Sequence, residues 1–471
     1  MEISPRSSIP LLLVLALSLA VSVSASVSAS QEIQIANAER RIDLTSHIVR
    51  VYLTLKVENV GVKETKEILL AFPPTDEIAI VKAQEAKGKK KQKSYTHLDV
   101  QSEGLPDGPN GTKYYAISLL NPIKSGESTT IEVLYIVAHS LEPFPAEISQ
   151  SDPQLVYYRD SAFILSPYHI KKQTTFLKTP SKKVESFTKV EPTSRSGVEI
   201  IYGPYEDRPP YTFSPILAHF ENNNPFSVVE ELEREIEISH WGSIQITERY
   251  KLSHAGARHK GVFSRVEYQS RPGASGVSSF KNLLLRLPPR VHSVYYRDEI
   301  GNISSSHLRT DRQKSELEIE PRYPLFGGWT TTFLIGYGLP LQDFLFLSPN
   351  GTRYLNFTFG CPLQETIVNK LTIKIVLPEG SKDPSPITPF PIQQHLEKKY
   401  TYLDIIGRIV VVLQKQNVVP EHNIPFQINY LFKPAVMLAE PLILCSVFFL
   451  FFLACIVFLH LDLSLKKMKQ I

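Results

Sequence analysis

Apolar and polar residues alternate with period two along much of residues 31–434, which predicts half-buried β-strands. In Val49–Val57 the odd positions Val49, Val51, Leu53, Leu55 and Val57 are apolar, while Arg50, Thr54 and Lys56 take the other face. The same pattern predicts strands at Thr130–Val137, Ile244–Leu252, Leu317–Ile319, Thr331–Leu339, Leu371–Leu377, Ile409–Leu413 and Phe426–Phe432. Pro and Gly punctuate the intervals, as turns between short antiparallel strands require. Helical periodicity is scarce here. Val228–Arg234 (VVEELER) reads either as a helical turn or as the lead into the next strand.

Two continuous apolar runs frame this region. The first, Ile9–Val23, follows Arg6 and gives way to small residues, so residues 1–30 read as a cleavable secretory signal. The second, Pro441–Leu459, has no ionisable side chain and, at ~1.5 Å per residue, covers ~28 Å, the hydrocarbon thickness of a bilayer. Residues 435–460 are therefore expected to form one transmembrane helix. Lys466, Lys467 and Lys469 beyond it place a tail, 461–471, in the cytosol and give a type I topology. Lys467 and Lys469 read either as a dilysine endoplasmic-reticulum retrieval signal or as charges that only fix the topology.

The intervening region repeats itself. Ile42-Asp-Leu-Thr-Ser-His47 is echoed by Ile236-Glu-Ile-Ser-His240, and Leu69-Leu-Ala-Phe-Pro-Pro74 by Leu284-Leu-Arg-Leu-Pro-Pro289. Thr129–Tyr135 is echoed by Thr331–Tyr337, and Asn224–Val228 by Ile424–Ile428. Echoes in one order at offsets near 200 residues indicate tandem domains. The expected fold is mainly β: two tandem β-sandwich-like lumenal domains, 31–230 and 231–434, followed by the single transmembrane α-helix.

Composition narrows the chemistry. Lys and Arg total 51 against 47 Asp and Glu, a net +4 that gives no field for nucleic acid. The basic run Lys87–Lys93 reads as a solvated loop, or more sharply as a site for an anionic partner. Of three cysteines only Cys361 lies outside the apolar span, so no disulfide forms within the lumenal part, which mildly favours the reticulum over the cell surface. Gly-x-Ser-x-Gly, Walker A, Gly-x-Gly-x-x-Gly and His-Glu-x-x-His patterns are missing, and His240, His254 and His259 lack metal-ligand spacing. No catalytic residue, cofactor or metal is expected, although a carboxylate pair brought together by the fold remains open. Four Asn-x-Ser/Thr sequons, at Asn110, Asn302, Asn350 and Asn356, are candidate N-glycosylation sites.

The blocks Arg297-Asp-Glu-Ile-Gly-Asn-Ile-Ser304 and Pro321-Arg-Tyr-Pro-Leu-Phe-Gly-Gly-Trp329 are more specific. With Ile238–Gly242, Gly261–Arg265, Leu377–Gly380 and Tyr400–Asp404, the chain resembles the ribophorin I family, subunits of the oligosaccharyltransferase complex of the endoplasmic reticulum. The resemblance implies a non-catalytic, accessory role in protein N-glycosylation. In that family a separate multi-spanning subunit transfers the dolichol-linked oligosaccharide to Asn of nascent chains, and the Trp-Trp-Asp-Tyr-Gly block of that subunit is missing here. Implied partners are the other subunits, including the catalytic one, the nascent polypeptide in the lumen and the reticulum membrane, with no nucleic acid. The short tail argues against ribosome docking. Asn302, inside the best-matched block, is the first choice for a used glycan site. A membrane-tethered lumenal carbohydrate-active enzyme or a cargo receptor are the competing classes.

Overall fold

The computed structural model describes residues 32–87, 94–102, 108–271, 273–401 and 404–461. The expected signal segment 1–30, most of the basic run (88–93), and the tail with Lys467 and Lys469 lie outside the described residues.

Strands dominate, and each expected strand is present. Val49–Asn59 alternates buried and outward residues along its whole length, and Ser128–Ala138, Ser243–His254 and Thr330–Pro340 contain the predicted runs. Val228–Arg234 belongs to the strand Ser227–Ser239. A bulge between Val229 and Glu231 sets Val229 and Leu232 three residues apart on the core side before alternation resumes, which explains the helix-like spacing. The expected boundary at 230 falls inside this strand.

The sheets recur in the same order. In the first half Ile33–Asp43 pairs antiparallel with Val49–Asn59 and parallel with His169–Lys178. In the second Ser227–Ser239 pairs antiparallel with Ser243–His254 and parallel with Thr366–Val376. Outward from these trios the neighbours also correspond: Ser128–Ala138 with Thr330–Pro340, Glu77–Lys87 with His292–Asp298, Glu199–Arg208 with Arg408–Val418, and Thr193–Ser196 with Gln393–Lys399. Each half adds a four-stranded sheet, centred on Leu155–Ser161 and Pro215–Glu221 or on Arg353–Thr358 and Pro425–Leu431. Three of the four sequence echoes fall on equivalent segments. The fourth does not: Ile424–Ile428 corresponds to the start of Pro215–Glu221, whereas Asn224–Val228 opens the second repeat.

Each repeat closes its sheets around its own buried apolar core, one running from Ile33 to Phe226 and the other from Val229 to Tyr430. A smaller cluster, Ile48, Ile136, Ala138, Ile367 and Val419, joins the two. After the last strand a 3-10 turn, Pro434–Leu438, leads into the helix Ala439–His460, which exposes large apolar side chains on every face between Leu442 and Leu459. The stretch Pro434–His460 is long and apolar enough to cross a membrane.

Candidate functional site

The polar heart of each repeat is a buried arginine at the same place in the sheet. Arg40 sits two residues before Ile42, and Arg234 two residues before Ile236; both side chains point inward where alternation calls for an apolar residue. Arg40 Nη2 donates to Ser161 O at 2.6 Å, and Arg234 Nη1 donates to Thr358 O at 3.0 Å. These acceptors end equivalent strands, since Ser161 opposes Pro215 and Thr358 opposes Pro425. Burial opposes the charge, but the adjacent carboxylate and the neighbouring tyrosines together outweigh it, and both guanidiniums are held above their ordinary pKa.

The countercharges come from different strands. Asp160 Oδ2 lies 3.1 Å from Arg40 Nη2, and it also accepts the Tyr158 hydroxyl at 2.6 Å. In the second repeat Phe357 occupies the position of Asp160, and the Arg234 guanidinium stacks over its ring at 4.9 Å. Charge is balanced there by Glu248, which is fully buried: Oε1 lies 2.8 Å from Arg234 Nε and accepts the Tyr337 hydroxyl at 2.9 Å, while Oε2 accepts Tyr250 at 2.6 Å.

The exchange of Phe357 for Asp160 leaves the first repeat open where the second is closed. A pocket of about 50 Å³, room for little more than a water or two, lies between the sheets beside Arg40, Tyr135, Tyr158 and Asp160. It adjoins an outer cleft of about 460 Å³ lined by Asp76, Arg159, Asp160 and Phe213. Arg40 Nε and Ser140 Oγ, both lining the inner pocket, have no hydrogen-bond partner. Burial, reinforced by Asp160, pushes the Asp76 carboxyl up to about 6. This is the carboxylate pair that the sequence left open. Asp160 is nevertheless committed, because Arg40 and Tyr158 hold one oxygen and the Ser161 N–H the other.

Polar latches tie the first repeat to the second and the second to the apolar helix. His47, in the turn after Ile33–Asp43, stacks on Phe226 at 5.3 Å, and its Nε2–H donates to Ser227 O at 3.0 Å. Asn224 Nδ2 donates to Thr45 O at 2.6 Å, and Arg50 reaches Glu421 at 2.6 Å and Glu365 at 3.0 Å. In the second repeat the corresponding turn carries His240, whose ring lies 4.1 Å from that of Phe432, just before the apolar helix. Burial pushes His47 down to about 3, and burial with the Arg353 charge pushes His240 down to about 4, so both are neutral. Arg408 completes the second latch: Nη2 donates to Glu440 in the first turn of the helix at 3.0 Å, Nη1 to Glu237 at 2.9 Å and Nε to Asp404 at 3.2 Å.

The sequon asparagines lie on separate turns and strands and form no common site. Asn302 and Asn350 are exposed. Asn302 is bridged to Arg297 across a turn organised by Asp298, which accepts from the Ile300 and Gly301 N–H groups. Asn350 tops the turn in which Ser348 N–H donates to Thr352 O at 2.8 Å. Asn356 is half-buried on the strand Arg353–Thr358, opposite Gln427. Asn110 lies in the 3-10 turn Pro109–Gly111, and the Thr112 hydroxyl of its sequon donates to Pro109 O. His254 is buried against Ser278 O, and His259 lies among Phe326 and Trp329. Among the described residues no three His, Cys, Asp or Glu are grouped to hold a metal. Cys361 is buried and unpaired, and burial pushes its thiol up to about 12.

The two arginine clusters and the latches escaped the sequence reading, although a signal was present. Glu39-Arg40-Arg41-Ile42-Asp43 matches Glu233-Arg234-Glu235-Ile236-Glu237 just upstream of the first echo.

A duplicated β scaffold with ion-paired polar cores, latched to one apolar helix fit to cross a membrane, defines a β-rich protein with a single candidate span among the described residues. The family model described as Ribophorin I matches residues 33–459, and the chain belongs to that family. It is 65% identical over 439 residues to a protein of Arabidopsis thaliana named dolichyl-diphosphooligosaccharide–protein glycosyltransferase subunit 1B, covering 93% of this chain and 95% of that one. The rice (Oryza sativa subsp. japonica) protein of the same name is 64% identical over 92% of this chain and 93% of its own length. The Arabidopsis subunit 1A is 47% identical over 93% of this chain and 71% of its own. Among solved structures, an M1 zinc metallopeptidase from Deinococcus radiodurans aligns with 43% of this chain and 42% of that one at 11% identity and a TM-score of 0.26, too loosely to bear on fold or function.

Proposed function

We propose that the chain is an accessory, non-catalytic subunit of the oligosaccharyltransferase complex, which transfers dolichol-linked oligosaccharide to Asn of Asn-x-Ser/Thr in nascent chains. The observation that carries this reading is near-full-length similarity to proteins named as subunit 1 of that glycosyltransferase. The non-catalytic part is supported by Asp160, whose two oxygens are engaged by Arg40, Tyr158 and the Ser161 N–H within the repeat. Two β repeats in the lumen would brace the complex beside its multi-spanning catalytic subunit and border the path of the nascent polypeptide. The helix Ala439–His460 would anchor them in the reticulum membrane as a type I span, with Lys467 and Lys469 cytosolic. Exposure on turns supports Asn302 and Asn350 as glycan acceptors ahead of half-buried Asn356.

The purified chain is expected to form no glycopeptide from dolichol-linked oligosaccharide and an acceptor peptide. The assembled complex carrying Asp76→Asn is expected to keep its transfer rate. Transfer by the chain alone, abolished by Asp76→Asn, would overturn the reading in favour of a tethered enzyme.

A further inference from the structure

The hairpin turn of the second repeat ends in an exposed tryptophan that the fold places at the root of the apolar helix. Trp241, 66% exposed, shares a small cleft with Val436, Met437 and Glu440. It is held there by its neighbour His240, whose ring packs on Phe432. Pro441 and the uninterrupted apolar run begin one residue after Glu440, and one helical turn spans only ~5.4 Å. Trp241 therefore lies close to the level at which hydrocarbon begins.

Two other loops arrive at the same level. The turn before Arg408 presents Ile405 and Ile406, 64% and 60% exposed, although their backbone N–H groups are fixed by the buried Glu379 carboxylate. Arg408 ties that turn to Glu440. Leu347, 69% exposed, and Phe346 come from the short strand Leu345–Leu347, which shares a groove with Gly242, the residue after Trp241. Lys433, also exposed, stands at the end of the last strand beside the helix root.

The duplication shows what such a turn needs. In the first repeat the equivalent turn is covered by the second repeat, with His47 and Ile48 buried. In the second repeat the position of that neighbour is taken by the chain leaving for the helix, and Trp241, Ile405, Ile406 and Leu347 face outward around it. Rigid apolar tips ringing the foot of a membrane helix, with a cation beside them, match the headgroup–acyl boundary, where tryptophan is favoured.

We propose that these three loops dip into the lipid interface and form a second membrane contact, which fixes the tilt of the second repeat relative to the span. The occupant is lipid and not a partner subunit. The inference rests on the helix Ala439–His460 crossing the bilayer, and its test separates the two claims.

The full chain is placed in phosphatidylcholine nanodiscs made with or without lipids brominated near the carbonyl end of the acyl chain. Trp241 is one of only two tryptophans, so quenching should remove about half of the emission. Trp241→Phe, at an exposed position, should abolish that quenching and leave Trp329 unaffected. Phe451→Trp in the Trp241→Phe background, with bromines deep in the chain, reports on the span by itself. Quenching of the span probe without quenching of Trp241 overturns the interfacial contact and leaves the span intact. Failure of both overturns the span. Protection of Trp241 from aqueous iodide only after assembly with other subunits, without bromine quenching, assigns the surface to a protein and overturns the proposal. Serine at Ile405 and Ile406 should weaken Trp241 quenching at least twofold; unchanged quenching would remove those residues from the contact.

Discussion

Replacing Glu248 with leucine removes the only carboxylate within ion-pair reach of Arg234 among the described residues and leaves a guanidinium charge in a site from which water is excluded. Breaking a buried pair from one side costs about 3–5 kcal/mol. Two buried hydroxyls, Tyr250 and Tyr337, also lose their acceptor, at about 1–3 kcal/mol each where they find no other. The carbonyls of Thr358 and Gly360, each 3.0 Å from Arg234 Nη1, still solvate the cation and pull the total toward the lower figure. The expected loss is about 5 kcal/mol, or roughly 10–20 °C in Tm for a unit of this size. Urea unfolding of the full chain in detergent, followed by Trp329 emission, measures it, because Trp329 packs against Phe326 within the second repeat. Arg234→Met in the Glu248→Leu background removes the stranded charge and should recover at least about 2 kcal/mol. In the first repeat Asp160→Leu should cost less, since the Asp160 side chain is 18% exposed and that of Glu248 is not exposed at all. A Glu248→Leu loss below about 1 kcal/mol, or strictly additive single variants, would refute the buried cluster as the polar heart of the repeat.

The same contacts lead to three further outcomes. His47 and His422 are neutral in the folded chain because burial holds each down to about 3, whereas an unfolded histidine titrates near 6.5. The unfolded chain therefore binds protons that the folded chain refuses, and stability present above about pH 6.5 is lost as pH falls toward 3; at pH 5 each histidine accounts for about 2 kcal/mol, and His47→Gln should remove that share of the pH 7.5 to 5 difference in urea midpoint. Cys361 should resist maleimide in the native chain and react on unfolding, in contrast to an exposed thiol with an ordinary pKa. Arg50→Ala cuts the ion pairs to Glu365 and Glu421 across the junction and should speed proteolysis between the repeats, at residues 222–226, by severalfold without lowering the unfolding midpoint of either core by more than about 1 kcal/mol.

Much of the fold is visible in the alternation, because a strand with one buried face must place apolar residues two apart. Val49–Asn59 is the clear case. The pattern misleads where another requirement intervenes. At Val228–Arg234 a bulge and an inward arginine together break the period, leaving apolar residues at spacings that suit a helix equally well. Asn224–Val228 and Ile424–Ile428 share a Pro-Phe pair by chance of composition, and only the strand order shows that Pro425–Leu431 answers to Pro215–Glu221. Arg40 meets Asp160 across 120 positions and the pairing has no local signature; Arg234 is balanced from the neighbouring strand and stacks on a phenylalanine 123 positions away. Local sequence carries the strand period well and the long-range polar pairings poorly, since a charge turned inward looks like an error of pattern until its partner is seen. The membrane-level tips were hidden for a related reason: Trp241, Leu347 and Ile405 come from three separate loops.

This chain is expected to work as an accessory part of a larger glycosyltransferase. Isolation of the tagged full chain from reticulum membranes in a mild detergent, followed by mass spectrometry of the intact assembly, tests it most directly. One defined complex is expected, containing this chain and a multi-spanning catalytic subunit in equal number, with the transfer activity residing in the complex. A chain that emerges alone, or in an assembly without such a subunit, would contradict it.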